Sequence, residues 1–470
     1  MVVGDFAHEK DILVIGGGPG GYHAAIRAAQ LGKEVALIER KRIGGTCLNE
    51  SCIPSKLFAN AGATLQSAHK FETFGITGSS SLSLDLSKLQ HQKSELIHAL
   101  TQGVEALLKK HKIERVQGSA SFISDSEIGV EEQERFEKYK FEKAIIATGA
   151  VYQPDTNLPS GEARVLTGAD PYELEELPEH LVLYGSDYIT LEIAASFSKF
   201  GTKVTLILDE EKESFPFDQT LNRELMRLLK KQQINVYKKT KLLHALPKDD
   251  MVEISLVSPK GETTLEASHF YAMAQPQPNT KSLRLEAASI ETTSAGFIPI
   301  TTTTQTNNPR IYAVGDVTAS GGLAVEAIKQ GKVAGEHAAG ENSEWDPDIC
   351  PVIAHTVKPL ASVGLTEEEA LHEGYEVSTN QFPLASNGYA GITADKDGMV
   401  KVISEKETDV LLGYHAIGTG SVELISTAIQ ALEMGGRIED MIYPYYPHPS
   451  INEAWLEATE GLLGKAVHGM

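Results

Sequence analysis

Apolar positions along this chain fall in short continuous runs that alternate with longer stretches of helical spacing, a pattern that predicts strands and helices taking turns. Residues 11–15 form an apolar run ending in Gly16-Gly17-Gly18-Pro19-Gly20-Gly21, residues 24–31 space their apolar positions as a helix, and 34–38 read as a second strand. A similar succession returns at 181–184, Gly185, a helical stretch reaching Phe200, and the strand 204–208. Two dinucleotide-type domains are expected from these units. Between them, 94–111 is helical in spacing and 143–146 is a strand running into Ala147-Thr148-Gly149. Segment 281–345 carries a strand ending at Asp316 and a helix over 324–337, enough to complete the first domain's sheet. Past Pro351, strand-like runs at 400–403 and 411–417 and a helix over 422–434 predict an α+β domain. The predicted class is α/β, with two Rossmann-like domains and a C-terminal α+β domain. The expected boundaries are 1–150 for the first part of one nucleotide-binding domain, 151–280 for the second, 281–347 for the segment completing the first, and 348–470 for the last.

Composition narrows the setting. The chain has 470 residues, 41% hydrophobic and 23% charged, which suits an ordinary globular protein of about three domains. A formal net charge of -22 argues against nucleic acid or an anionic membrane as partner, since both attract basic patches. No apolar run approaches the roughly 18 residues a spanning helix needs, and the start Met1-Val2-Val3-Gly4-Asp5-Phe6 lacks a basic segment followed by an apolar one. A cytoplasmic location is expected. Three cysteines are too few for a secreted disulfide framework, so a close pair reads as catalytic or metal-binding. Cys350 stands apart and reads as a buried filler.

Gly16-x-Gly18-x-x-Gly21 supplies a tight turn, close backbone approach to a pyrophosphate, and tight helix–strand packing. The helix start then faces the phosphates with its partial positive charge. Glu39 closes the second strand, where a carboxylate can meet ribose hydroxyls. Soon after come Cys47 and Cys52 in Gly44-Gly45-Thr46-Cys47-Leu48-Asn49-Glu50-Ser51-Cys52-Ile53-Pro54-Ser55-Lys56. Four residues separate the thiols, unlike a zinc knuckle, so no metal is expected. A dithiol directly after a dinucleotide unit suits electron exchange with a flavin. Near the C-terminus, Pro447-His448-Pro449-Ser450-Ile451-Asn452-Glu453 pairs an imidazole with a carboxylate. Dithiol chemistry needs a base near neutrality, and a carboxylate on the other ring nitrogen fixes its tautomer.

Along essentially its whole length the chain resembles the pyridine-nucleotide disulfide oxidoreductases, the class that includes dihydrolipoamide dehydrogenase, glutathione reductase and mercuric reductase. The resemblance implies FAD as cofactor and makes Cys47 the interchange thiol and Cys52 the charge-transfer thiol of a redox disulfide. It places Lys56 near the flavin with Glu192 as its ion-pair partner. Gly16, Gly18, Pro19, Gly20, Gly21, Glu39, Gly45, Thr46, Lys56, Ala120, Thr148, Gly149, Asp316 and Ala324 would form the FAD site. His448 becomes the acid–base catalyst, oriented by Glu453 and reaching across a twofold axis, so a homodimer is implied with residues 348–470 as its dimerisation domain. The continuation Glu453-Ala454-Trp455-Leu456-Glu457-Ala458 is more like dihydrolipoamide dehydrogenases than glutathione reductases, which implies a lipoyl-bearing protein or a small dithiol or disulfide as substrate. No cysteine occurs in 461–470, unlike mercuric reductases and large thioredoxin reductases.

The second nucleotide unit departs from that pattern. It reads Gly185-Ser186-Asp187-Tyr188-Ile189-Thr190, so Asp187 and Thr190 stand where the motif has its second and third glycines, adding bulk and a like charge beside a pyrophosphate. Leu208 occupies the strand end where NAD users of the family carry an acidic residue, with Asp209 and Glu210 just after, and Gln275-Pro276 replaces Gly-Arg. Use of NAD is therefore expected to be weakened, with Tyr188 in a lid position. In the disulfide loop, Ser51 replaces a usual glycine, and Glu50 tends to raise a nearby thiol. Alternatives to the full enzyme are a disulfide reductase or oxidase half-enzyme with a non-nicotinamide electron partner, and a non-catalytic flavin-binding scaffold or sensor.

Overall fold

The computed structural model describes residues 7–78, 82–153, 158–159, 162–209, 211–273, 275–319 and 321–469; the opening hexapeptide and Glu210 lie outside the described residues. Contacts gather the chain into two compact units. One takes residues up to 54, 88–153 and 274–347; the other takes 55–87, 154–273 and 348–470. Segment 55–87 thus belongs with the second unit, and so does everything from 348 onward.

In the first unit the parallel strands Glu114–Gln117, Val35–Glu39, Ala7–Ile15 and Arg135–Ile146 lie side by side, and Ile311–Ala313 joins Arg135–Ile146 in parallel. The central segment therefore contributes a strand to the first sheet. Every residue of Val35–Glu39 is buried, as expected of a parallel strand covered on both faces. Pro19 at the helix start and buried Ala24, Ala25 and Ala28 shape the helix Pro19–Gln30. It packs almost backbone to backbone with the helix Ala324–Ala339, where a Cβ on Gly331 would lie 2.2 Å from the Gly20 carbonyl oxygen. Only glycine permits that approach.

The second unit has its own parallel sheet, built from Asn235–Tyr237, Lys203–Ile207, His180–Tyr184, His269–Ala272 and Val165–Leu166. An antiparallel meander follows at Lys241–Lys248, Met251–Ser258 and Gly261–Ala267. The last part of the unit is a five-stranded antiparallel sheet over Val352–His355, Pro359–Gly364, Leu411–Gly418, Gly398–Glu405 and Val377–Pro383. Helices Ser421–Glu433 and Asn452–Leu462 share its core, in which the Trp455 and Tyr414 rings meet at a tilt with centroids 4.9 Å apart. This α+β arrangement agrees with the alternation seen beyond Pro351. Among the described residues no helix is long and apolar enough to cross a membrane.

One buried ion pair ties this unit together. Lys401 and Asp218 are nearly inaccessible, with Lys401 Nζ 2.8 Å from Asp218 Oδ2 and 2.6 Å from Glu367 Oε2. Asp218 also caps the helix Gln219–Lys231 by accepting from Thr220 N at 2.8 Å. Burial alone raises the Asp218 carboxyl. The Lys401 hydrogen bond, the charges of His415 and Lys401, and the Thr220 N–H outweigh it and hold the group below its ordinary value. Asp218→Ala leaves a buried ammonium short of its partner and is expected to cost about 3 kcal/mol in denaturant unfolding at neutral pH. Because the folded carboxyl is depressed, its contribution is complete above the unfolded value near 4 and is lost as pH falls through the lower folded value, so the gap between wild type and variant should close below about pH 4.

Candidate active site

The strand Ala7–Ile15 delivers Gly16 at φ 107°, and a Cβ there would sit 2.3 Å from the Ala147 carbonyl oxygen. A Cβ on Gly21 would lie 1.9 Å from the Gly16 oxygen. Gly18, at the start of the helix Pro19–Gln30, differs: its N-cap position carries no side-chain cap, and a Cβ would meet nothing nearer than the Gly45 Cα at 3.8 Å. The turn is thus tight beneath and open above. Glu39 stands beside it, its Oε2 accepting from Gly17 N at 2.7 Å and its Oε1 from Lys41 N at 2.6 Å. Gly45 approaches closely, since its Cβ would fall 2.7 Å from the Gly18 Cα, and Thr46 follows it in the short helix Gly45–Asn49. Ala120 lies buried in Ser119–Phe122.

Three further features suit a dinucleotide. The Thr148 hydroxyl is buried with no hydrogen-bond partner among the described residues, while Gly149 turns at φ 66°. Burial raises the Asp316 carboxyl against the opposing effect of a backbone N–H. The helix Ala324–Ala339 begins at Ala324 without a side-chain cap, a second helix start whose N–H groups await an acceptor. These residues fit FAD.

Cys47 lies in Gly45–Asn49, and Cys52 is the first residue of the sixteen-residue helix Cys52–Ser67. Both are partly exposed. A sulfur at the start of a long helix is favoured as thiolate by the helix dipole, a feature the motif spacing did not reveal. Ser51 Oγ lies 3.7 Å from Cys52 Sγ. Tyr22 was not anticipated either: burial, and then the charge of Cys47, raise its hydroxyl.

One turn beyond Cys52, Lys56 Nζ meets Glu192 Oε2 at 2.8 Å. Glu192 is 1% exposed, and its second oxygen accepts from His355 N at 2.9 Å, so both oxygens are satisfied. The Tyr188 ring centroid lies 6.0 Å from Lys56 Nζ. Burial pushes His355 down, with Glu192 opposing and Lys56 and Lys199 adding to the effect. No local motif marks His355, because the approach of the strand Val352–His355 to the helix Tyr188–Lys199 brings it to Glu192.

His448 is 81% exposed, and its Nδ1 lies 2.7 Å from Glu453 Oε1. Glu453 Oε2 accepts from Ser450 N at 3.0 Å. Burial works to raise the Glu453 carboxyl, but the bonds from His448 and Ser450 and the charges of His448 and His468 lower it further. An ionised acceptor on Nδ1 puts the proton there and leaves Nε2 as the outward-facing base.

The second glycine-type turn is built differently. Asp187 caps the helix Tyr188–Lys199 with its own carboxylate, accepting from Thr190 N at 2.9 Å and Thr190 Oγ1 at 2.6 Å. A Cβ added at Gly185 would meet those same side chains at 2.6 Å and 2.8 Å. Leu208 is fully buried just past Lys203–Ile207, and Asp209 receives the Tyr184 hydroxyl at 3.3 Å. Residues 275–278 form a strand with Ala150–Gln153. Asp187 thus takes the Thr190 N–H at the start of this helix with its own side chain.

Residues 10–331 match the pyridine nucleotide-disulphide oxidoreductase family, and residues 350–459 match its dimerisation domain. The chain belongs to this family. It is 36% identical over 470 residues to a dihydrolipoyl dehydrogenase of Bacillus subtilis, covering 100% of this chain and 99% of that one. To the mitochondrial dihydrolipoyl dehydrogenase of Pisum sativum it is 34% identical, covering 98% and 93%. Among solved structures, LpdA of Mycobacterium tuberculosis superposes with a TM-score of 0.89 at 24% identity, covering 96% of this chain and 99% of that one, which shows the shared fold. This family member is an FAD-dependent disulfide oxidoreductase, and its family's cofactors are FAD and NAD.

Gly18 separates folding from cofactor binding. Gly18→Ala places a methyl in open space at φ -73°, where alanine is unstrained, so the thermal midpoint of the apoprotein should stay within about 2 °C of wild type. Bound flavin, read from visible absorbance after gel filtration, should fall at least about tenfold because the methyl stands where the phosphates approach.

Proposed function

We propose that this oxidoreductase acts on lipoyl-type dithiols as a homodimer, in which His448 and Glu453 of one subunit serve the Cys47–Cys52 pair of the other. The observation that carries this reading is the His448–Glu453 pair, a carboxylate-held imidazole whose second nitrogen is exposed and free to receive a proton. Whole-length similarity to dihydrolipoyl dehydrogenases supports the substrate class.

The exchange balances as follows. His448 Nε2 takes a proton from one thiol of the substrate, and the resulting thiolate attacks Cys47 Sγ. The Cys47–Cys52 bond breaks, and Cys52 leaves as a thiolate stabilised by its helix start. The second substrate thiol then attacks the sulfur joined to Cys47, closing the substrate disulfide and returning Cys47 as a thiol. Two electrons have passed from the substrate to the enzyme dithiol. FAD, when bound, supplies the acceptor for that electron pair. Lys56, fixed by Glu192, holds a positive charge one turn from Cys52. Glu453 keeps Nδ1 protonated, so that Nε2 stays the base.

We infer further that the nicotinamide exit is weakened, since Asp187 holds the donors a pyrophosphate would use. The alternative of a half-enzyme with another electron partner draws its support from that self-capped turn. The scaffold reading has no comparable observation behind it.

Anaerobic dihydrolipoamide should bleach the flavin of the holoenzyme, and His448→Gln should slow the bleaching by about 10²–10⁴-fold. Flavin that stays oxidised with excess dihydrolipoamide would sink the lipoyl reading. In a separate experiment NADH should reduce the wild-type flavin slowly, while Asp187→Gly with Thr190→Gly should raise that rate at least about tenfold, equivalent to removing one unfavourable charge contact. Rapid reduction of the wild type by micromolar NADH would show the nicotinamide site to be intact.

A further inference from the structure

The helix Asn452–Leu462 holds a second imidazole–carboxylate pair beside the first. Glu453 and Glu457 are spaced i, i+4 and therefore share a face, with their Cβ atoms roughly 6 Å apart. Glu453 binds His448 Nδ1, and Glu457 binds His468 Nδ1 at 2.6 Å. After the helix the chain turns at Gly464, φ 67°, with Lys465 N donating to the Glu460 carbonyl at 2.9 Å. It then runs back so that Val467 N and His468 N both donate to Glu457 Oε2 at 3.0 Å. Glu457 is 7% exposed and is saturated by these three bonds. By contrast, the His468 side chain is 69% exposed, and Val467 next to it is 77% exposed. The charge of His468 reaches Glu453, so the two pairs are electrostatic neighbours.

We propose that His468 is a specificity-determining residue that reads the amide at the end of the lipoyl chain, one step outward from the dithiol that His448 serves. This rests on the proposed lipoyl reading. The chemistry follows from the tautomer. Glu457 takes the Nδ1 proton, so the neutral ring presents Nε2 as an acceptor, and the protonated ring presents it as a donor. A secondary amide offers both an N–H and a carbonyl and is bound in either state. A carboxylate offers only acceptors and is bound only by the protonated ring. Exposed Val467 gives the alkyl chain an apolar surface just before that polar end. Glu457 lies one turn along the helix from Glu453, so the two imidazole–carboxylate pairs are neighbours and the proposal sets the far end of the lipoyl chain at the second of them. Because Glu457 holds the ring by Nδ1 and the adjoining backbone by two N–H groups, little side-chain entropy is lost on binding.

The test is anaerobic stopped-flow reduction of the flavin in the holoenzyme at about pH 9, where an imidazole is neutral. Three dithiols are compared: dihydrolipoamide, its N,N-dimethylamide lacking the N–H, and dihydrolipoate. His468→Ala should raise the half-saturating concentration of dihydrolipoamide about three- to tenfold, the effect of one lost neutral hydrogen bond, while the limiting rate changes less than about twofold. The dimethylamide and dihydrolipoate should respond less than about twofold in both parameters. His468→Gln, whose side-chain oxygen still accepts, should recover part of the loss for dihydrolipoamide. Equal effects on all three dithiols, or none on dihydrolipoamide, overturn the role of His468 and leave the dithiol reading standing. If none of the three reduces the wild-type flavin, the lipoyl reading falls and this proposal falls with it.

Discussion

Every helix begins with N–H groups that its own turns cannot satisfy, and what satisfies them governs this molecule. At the helix Pro19–Gln30 the cap position is Gly18, so nothing from the chain occupies the donors, and Glu39 and the glycines shape an open cradle. At Ala324–Ala339 the start is again uncapped. Tyr188–Lys199 differs from these two, because Asp187 accepts from Thr190 N and Thr190 Oγ1. Two turns of related sequence pattern thus start their helices differently. A side-chain cap of the second kind stabilises a helix, typically by about 1 kcal/mol.

The same economy of donors and acceptors runs through the chemistry. Glu192 is buried, yet Lys56 and the His355 N–H satisfy both its oxygens, which makes a buried carboxylate tolerable and holds a cation near Cys52. Glu453 and Glu457 each spend one oxygen on an imidazole and the other on backbone N–H groups. Each carboxylate therefore sets both the position and the tautomer of its histidine. Both imidazoles stay largely exposed while their carboxylates are the less accessible partners.

Much of the fold could be read from the chain. Alternating apolar runs marked the strands around Gly16 and Gly185, and the α+β character beyond Pro351 followed from the same pattern. Boundaries shifted unevenly: the strand taken to end at Leu208 stops one residue earlier at Ile207, whereas the helix expected from Ser94 begins eight residues earlier at Leu86. The antiparallel meander over 241–267 went unseen because it interrupts a unit whose start reads as a simple nucleotide-binding domain. Membership of 55–87 in the second unit was equally hidden, since a helix shows its apolar face in sequence but not which core receives it.

By itself the sequence determined the residues that suggest chemistry: two thiols five positions apart, an imidazole and a carboxylate five positions apart, and glycines where a turn must be tight. These are short-range relations, and local geometry settles them. Only the tertiary structure decided the long-range ones. It brought His355 to Glu192, folded His468 back onto Glu457, and set Asp187 onto the donors of its own helix. Such pairings depend on where strands align and chains reverse, which no local spacing records, because the free energy that selects them comes from burial summed over a whole core.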